Sequence, residues 1–390
     1  MHGGESHGFR QLARHDLDGH GDGMQVMRAG DALYVGHFGP SSMGTSVLDA
    51  SDPKDLRLVR QWRAPEGAHT HKVQVADGLL LVNEEAFRGG RPARAGMTIY
   101  DLTDPFAPAE IGFWDSTGRG VHRIVYEGGD LAHVSATPDG FSERIWVVVD
   151  VSDPTAPVER ARWWWPGMGP GEGRDWPDDE SRSVHHALID GDRAYVGLWD
   201  SGMAVLDITD LDDIRIVSRL SWDVGGNTHT AMPLPGRDLV VVTDEATSDG
   251  CDDDPRMVRV VDVADETAPV ARAVCPVPEG DFCERGLRFG AHCTHENRPG
   301  SYRSSEVVVV TYFNAGLRVY DLAEPDAPRE IGHWIPDCPA GQQAVQINDV
   351  WVGEDLLTYV TDRVHGGVYV LEPTDDLAAS LDGARLREGT

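Results

Sequence analysis

Residues 289–325 read FGAHCTHENRPGSYRSSEVVVVTYFNAGLRVYDLAEP, and this run holds once, in order, every feature that recurs along the chain. Histidines come first, at His292 and His295. A β-branched run follows from Val307 to Tyr312, then a turn at Asn314-Ala315-Gly316. A second run ends in Tyr320-Asp321, and an acidic-Pro turn at Glu324-Pro325 closes the unit. β-Branched runs bounded by Gly, Asn and Pro read as short strands, not helices.

Working outward, the closing phrase returns along the whole chain. It appears as VLDASDP before Trp62, IYDLTDP before Trp114, VVDVSDP before Trp163 and VLDITDL before Trp222. VVDVADE follows, with Cys275 in the Trp place, then VYDLAEP before Trp334 and a last, shortened VYVLEP ending at Pro373. The spacing is about fifty residues, and two more strand signals precede each copy. Four short strands per repeat at that period predict propeller blades. The expectation is therefore all-β: a single domain over 1–390 forming a seven-bladed β-propeller of four-stranded antiparallel blades. The blades fall near 18–66, 67–118, 119–166, 183–225, 226–278, 288–337 and 343–373. The last unit lacks an outer strand, and RQLARHDL (10–17) is the segment expected to pair with it and close the ring.

The Asp-Pro turns carry a structural reading. Pro presets a turn dihedral and Asp bonds its own downstream backbone. The terminal tryptophans read as packing between blades. GMGPGEGRDWPDDESRS (167–183) is a long inter-blade loop, and SDGCDDDP (248–255) a shorter insertion. Trp163–Trp165 and Trp176 could floor a funnel beside the long loop, with inter-blade packing the simpler use of the first three.

Composition narrows the partners. The chain has 390 residues, 40% hydrophobic, and a formal charge of −31, with Lys54 and Lys72 its only lysines. Such a surface repels phosphate backbones and anionic lipid, so neither nucleic acid nor membrane is expected. No apolar run approaches the roughly 18 residues of a membrane span. The N-terminal MHGGESHGFRQLARHD shows no apolar signal region, which gives a cytoplasmic expectation. The five cysteines all lie between 251 and 338, an odd and clustered set. Buried free thiols, a local Cys275–Cys283 bridge and metal ligation all stay open. Oligomeric state is not legible.

The chain resembles the LVIVD-repeat β-propeller proteins of bacteria. The resemblance rests on the repeat phrase, on His185-His186-Ala187-Leu188, on His229 within THTAMPLPGRDL, on His292 to Ser301, and on Asn314 to Asp321. It covers essentially the whole chain and implies the propeller fold. It transfers no reaction class.

Aligning the units on their first strand exposes a ring of histidines. They open with His20 and Asp22, His69 and His71, His122, His185 and His186, His229, then His292 and His295. The seventh opens with Gln346, Asn348 and Asp349 instead. In a propeller these positions converge on one mouth of the central channel. Convergent neutral imidazoles suit a divalent transition metal, with Zn, Mn or Fe ahead of Cu. His71, His122, His186, His229 and His292 are the expected ligands. A lone histidine at such a place is more often a hydrogen-bonded plug of the channel. His69 and His185 are offset neighbours, and His2, His7, His15, His37, His133, His333 and His365 read as ordinary surface or packing residues.

The second strands return to the same mouth with Glu84, Glu85, Asp200, Asp244, Glu245, Asn314, Asp362 and Arg363. Glu84 or Glu245, or the non-ligand His295, would move protons, and Arg363 and Arg123 would hold a carboxylate. The reading is a metal-dependent hydrolase or lyase/isomerase acting on a small organic molecule. A copper or iron oxidase is the alternative, by analogy with other propellers having histidine-lined channels, such as the selenium-binding/methanethiol oxidase family. A non-catalytic interaction scaffold is the second alternative. No GxSxG elbow, CxxC or phosphate-binding Gly loop is present, and HCTHEN does not have HExxH spacing.

Overall fold

The computed structural model describes residues 3–39, 43–87, 90 and 92–386. His2 lies outside the described residues. The architecture is all-β apart from two helices, Phe282–Arg285 and Asp375–Gly383, and every named strand pair is antiparallel.

Gly23–Ala29, Ala32–His37, Met43–Asp49 and Arg57–Arg63 pair in chain order as the first sheet. A nine-stranded sheet follows. It contains Val73–Ala76, Leu79–Ala86, Gly96–Asp101 and Ala109–Asp115, then Gly120–Val125, Leu131–Thr137, Ile145–Asp150 and Val158–Trp163. Its two halves meet through one pair, Glu85 with Gly120, and Ala68–His69 joins beside them. Two more four-stranded sheets begin at Ala187–Asp190 and Thr228–Pro233.

The last two sheets borrow strands from the start of the chain. Phe9–His15 pairs with Gly367–Pro373 as the outer strand of the sheet that starts at Ile347–Val352. Glu5–His7 pairs with Arg329–Ile335 on the outer edge of the sheet built from Val307–Thr311 and Leu317–Asp321, a pairing not foreseen. The stretch expected to open that sheet, 292–295, is irregular. It contributes the bridge Thr294–Val310, with His292 N–H on Thr311 O at 2.9 Å and His295 N–H on Val309 O at 2.8 Å.

Middle strands such as Val307–Thr311 and Leu239–Asp244 are buried throughout because they are covered on both faces. Their side chains interdigitate between neighbouring sheets: Val241, Val260, Val308, Val319 and Val350 share one core cluster with Tyr320 and Trp334. Cys275 sits buried in the same cluster, filling the Trp place. Burying a Val or Phe side chain in this way contributes roughly 1.5–3 kcal/mol. The aspartates act as read: Asp49, Asp101, Asp150, Asp207, Asp262 and Asp321 each accept the backbone N–H two residues on, at 2.7–3.0 Å.

The long loop is packed down. Arg182 lies over Trp165 at 5.2 Å and over Trp176 at 4.3 Å, and Trp163 and Trp176 are buried. Cys283 bridges Cys251 rather than Cys275, tying the 248–255 insertion to the helix Phe282–Arg285. Cys275, Cys293 and Cys338 are free. Among the described residues no helix is long and apolar enough to cross a membrane.

Candidate metal centre

The first strands of successive sheets deliver imidazoles to one continuous arc. Ring centroids run His69–His71 4.0 Å, His71–His122 5.1 Å, His122–His185 5.0 Å, His185–His229 3.7 Å and His229–His292 4.4 Å. His186 joins at 5.6 Å from His229. Two glycines permit this approach. A Cβ on Gly36 would meet the His71 backbone at 2.6 Å, and one on Gly197 would meet Thr228 and His229 carbonyl oxygens at 2.8 Å. Trp199 and Phe313, at φ +47° and +43°, stack on His185 and His292. A left-handed bulky residue costs of order 1–3 kcal/mol, so the surrounding packing must hold each ring there.

Ligand-type atoms cluster three times along the arc. The atoms of His185, His186 and His229 lie within 4.8 Å of one another, as do those of His229, His292 and Cys293, and those of His69, His71 and Glu85. His229 belongs to two of the three. His185 and His69, expected to face elsewhere, are members. Cys293 joins them although a single thiol carries no spacing signal in the sequence.

Burial keeps six of these imidazoles neutral. It pushes His71, His185, His186 and His229 well below the ordinary histidine pKa. Burial takes His122 down to about 4 against the pull of Glu85, and His292 to about 3 against that of Glu245. A neutral ring offers a lone pair, and its partner decides on which nitrogen. His292 Nδ1 donates to Asn348 O at 2.8 Å, so its Nε2 holds the lone pair. His229 Nδ1 pairs with Thr230 Oγ1 at 2.8 Å and His186 Nδ1 with His185 Nδ1 at 3.0 Å. The Nε2 atoms of His186 and His229 are buried without a partner.

His71 differs. Asn83 Oδ1 takes Lys72 N–H at 2.7 Å while Asn83 Nδ2 donates to Val121 O at 2.7 Å, which fixes the amide. Its second Nδ2 hydrogen faces His71 Nδ1 at 3.1 Å, so His71 carries its own hydrogen on Nε2, 4.0 Å from Glu85. His71, expected among the ligands, points that nitrogen toward Glu85 without a hydrogen bond, and Nε2 is buried and unpartnered. His122 is engaged at both nitrogens, with Glu85 at 2.9 Å and His185 Nε2 at 3.2 Å, and His185 also meets His186 at its Nδ1, so an ion there would replace contacts between rings.

The carboxylates sort by strand alternation. Glu84 turns away from the arc into a pair with Arg94, with Nε at 2.9 Å, and a bond from Thr98. The expectation for Glu84 is corrected: Glu85, its neighbour, faces the imidazoles, 2.9 Å from both His69 Nε2 and His122 Nδ1. Burial would raise Glu85, but His122 and His69 outweigh it and hold the carboxylate ionised. Glu245 is at the arc as expected, 3.7 Å from His292 Nε2, 3.0 Å from Arg288 and 3.9 Å from Arg363. Burial acts upward on Glu245, and His292, Arg288 and Arg363 bring it below the usual range. Arg363 also lies 4.5 Å over Phe38.

His295 is not brought to the arc. Its Nδ1 accepts Val309 N–H at 3.0 Å and its ring lies by Tyr302 at 5.7 Å, because the irregular 292–295 stretch turns it off the axis of His292. Arg123 sits behind the arc, paired with Glu296 at 2.6 Å. His20 stays outside, edge-on to His37 at 5.7 Å. His37, fully buried, links Asp22 at 2.7 Å to Ser46 at 2.6 Å. Ser46 is fully buried and also bonded by Gln61 at 2.9 Å, so this chain braces the first sheet.

The family model of the LVIVD repeat matches residues 143–163 and 181–219. That match and the propeller-like sheet architecture above support an LVIVD-repeat β-propeller family. No curated protein matches it. Among solved structures, the periplasmic gluconolactonase of Pseudomonas aeruginosa aligns with TM-score 0.58 at 13% identity, over 87% of this chain and 95% of that one. The C-terminal WD40 domain of Sif2 aligns with TM-score 0.58 at 9% identity, over 94% and 98%. A hypothetical selenium-binding protein from Sulfolobus tokodaii gives 0.55 at 12%, over 95% and 91%. At these identities the likeness concerns fold alone.

Proposed function

We propose that this chain is a metal-dependent enzyme on a closed ring of seven blades, holding a divalent transition ion at His185, His186 and His229 and acting on a small organic substrate. Hydrogen bonds between successive units support the ring: Val73 N to Gln25 Oε1, Tyr126 N to Gln74 Oε1, Val184 N to Arg144 O and Thr228 N to Trp199 O. Thr243 Oγ1 to His292 O and Ile347 N to Phe313 O continue it. Asn348 Nδ2 to Met24 O then joins the last unit to the first.

One observation carries the metal reading. His186 and His229 each present a buried, unpartnered Nε2, a cost of about 1–3 kcal/mol per group that a ligated ion would remove. A bound ion supplies Lewis-acid polarisation of a carbonyl or a hydroxide near neutral pH. The chain's own residues do the rest. Glu85 and Glu245, ionised and partly exposed at the mouth, accept a proton, and Arg288 and Arg363 orient an anionic group beside Glu245. This arrangement fits a hydrolase or lyase/isomerase. Cys293, a soft donor next to His229 and His292, favours copper oxidase chemistry as the second reading. The Cys251–Cys283 bridge suits an oxidising compartment better than the cytoplasm.

Elemental analysis of untagged, metal-replete protein tests the proposal. We expect one ion per chain in the wild type, none in His229→Ala, and full occupancy in Cys293→Ser. A metal-free wild type, or His229→Ala with its ion retained, defeats the reading. Copper lost in Cys293→Ser moves the assignment to the oxidase.

A further inference from the structure

We infer a binding site for a small oxyanion behind the imidazole arc, formed by Lys72, Arg123, Arg298 and Gln74. All four are buried, between 0% and 3% exposed. Glu296 separates them from the arc: its Oε1 lies 3.7 Å from His186 Nε2 and accepts Arg123 Nη2 at 2.6 Å. Its Oε2 pairs with Arg298. Arg298 Nη1 donates to Gln74 Oε1, which also takes Tyr126 N–H at 3.3 Å.

The acceptors then run out. Arg123 Nε and Nη1, Arg298 Nε and Gln74 Nε2 are buried with no partner. Lys72 has no ion-pair partner among the described residues. Burial and the nearby Arg123 push its ammonium down to about 8. Of the carboxylates that act on Lys72, Asp349 spends Oδ2 on Val26 N–H at 3.0 Å, and Glu245 is taken up by Arg288 at 3.0 Å. Arg123 and Arg298 thus share Glu296, with Glu127 acting on Arg298 from further off, and Lys72 stands beside Arg123 without a paired carboxylate, in a chain whose net charge is −31. A buried unmatched charge is the costliest group a fold can hold, and an oxyanion satisfies surplus N–H donors and surplus charge together. A cavity of about 180 Å³, lined by Glu127, Leu188, Asp190, Met232, Glu296 and Arg303, has in its wall the carboxylate that Arg123 and Arg298 share. The donors are orphaned whether or not a metal is bound, so the site does not rest on the metal reading.

Acetate is the probe. Calorimetric titration at constant ionic strength should give one acetate per chain, and the thermal midpoint should climb with acetate. Lys72→Met should weaken acetate binding at least about tenfold. Gln74→Glu keeps an oxygen for Arg298 and supplies the missing charge from within, so acetate binding should vanish in a protein that stays folded. Acetate binding equally to wild type and both variants, or failing to bind wild type, overturns the site. Metal content measured on the same samples reports separately: metal-free protein with the expected acetate pattern would sink the metal proposal and leave this one standing.

Discussion

Two adjacent glutamates show how much a single strand position decides. Glu84 and Glu85 alternate across Leu79–Ala86, so one meets Arg94 and the other meets His69 and His122. On the proposed function, Glu85→Gln should cut turnover, and because it takes the charge from His69 and His122 it should also lower unfolding free energy by about 1–3 kcal/mol. Glu84→Gln, which strips a 2% exposed carboxylate from Arg94 and Thr98, should lower unfolding free energy by about 1–3 kcal/mol with turnover intact. Denaturant midpoints and steady-state rates on the two variants check the contrast. The sequence placed both glutamates at the mouth but not which face each takes, because that follows from the sheet register. The same limit applies to His71, whose hydrogen is placed by Asn83, a residue with no motif of its own. Where a position recurs in every unit, as with the turn aspartates, one sequence suffices. Where a side chain answers to one neighbour, it does not.

At the scale of strands and turns, close approach does the positioning. Gly197 lets the His229 strand lie against the preceding sheet, and a Cβ there would stand 2.8 Å from two carbonyl oxygens. Gly197→Ala should therefore displace that strand and weaken metal affinity about tenfold or more, with a fall in thermal midpoint, readable by competition with a chelator. Sequence proximity to His292 does not bring His295 to the arc, because strand alternation turns residues three apart to opposite faces and the Thr294–Val310 bridge anchors the stretch between them. The disulfide was also beyond spacing rules, since its 32-residue separation crosses from an insertion to a helix. Closing a loop of that length stabilises by on the order of 3–4 kcal/mol in the chain-entropy model. Thiol titration of denatured, unreduced protein should find three free cysteines, and reduction should lower stability by about that amount.

Across the whole molecule, the repeat period made the sheet architecture legible, while the concentration of neutral imidazoles sets its behaviour in acid. Eight histidines have folded pKa values below the ordinary one through burial: His71, His122, His133, His185, His186, His229, His292 and His295. The unfolded chain therefore binds more protons below about pH 6.5, and stability must fall as pH drops from there. Each such ring contributes up to about 1.4 kcal/mol per pH unit until its folded pKa is reached. Acid unfolding followed by circular dichroism should begin between pH 6 and 5 by this arithmetic, before most carboxylates titrate, and bound metal should shift it lower. A midpoint below pH 4 would show that the rings are solvated.

The earliest strands of the polypeptide, Glu5–His7 and Phe9–His15, lie on edges that exist only once residues 329–373 have been made. During synthesis these strands would thus stay unattached until partners more than 300 residues further along have been made. Both strands would remain open to mispairing until then, so assistance to the nascent chain matters most in that interval.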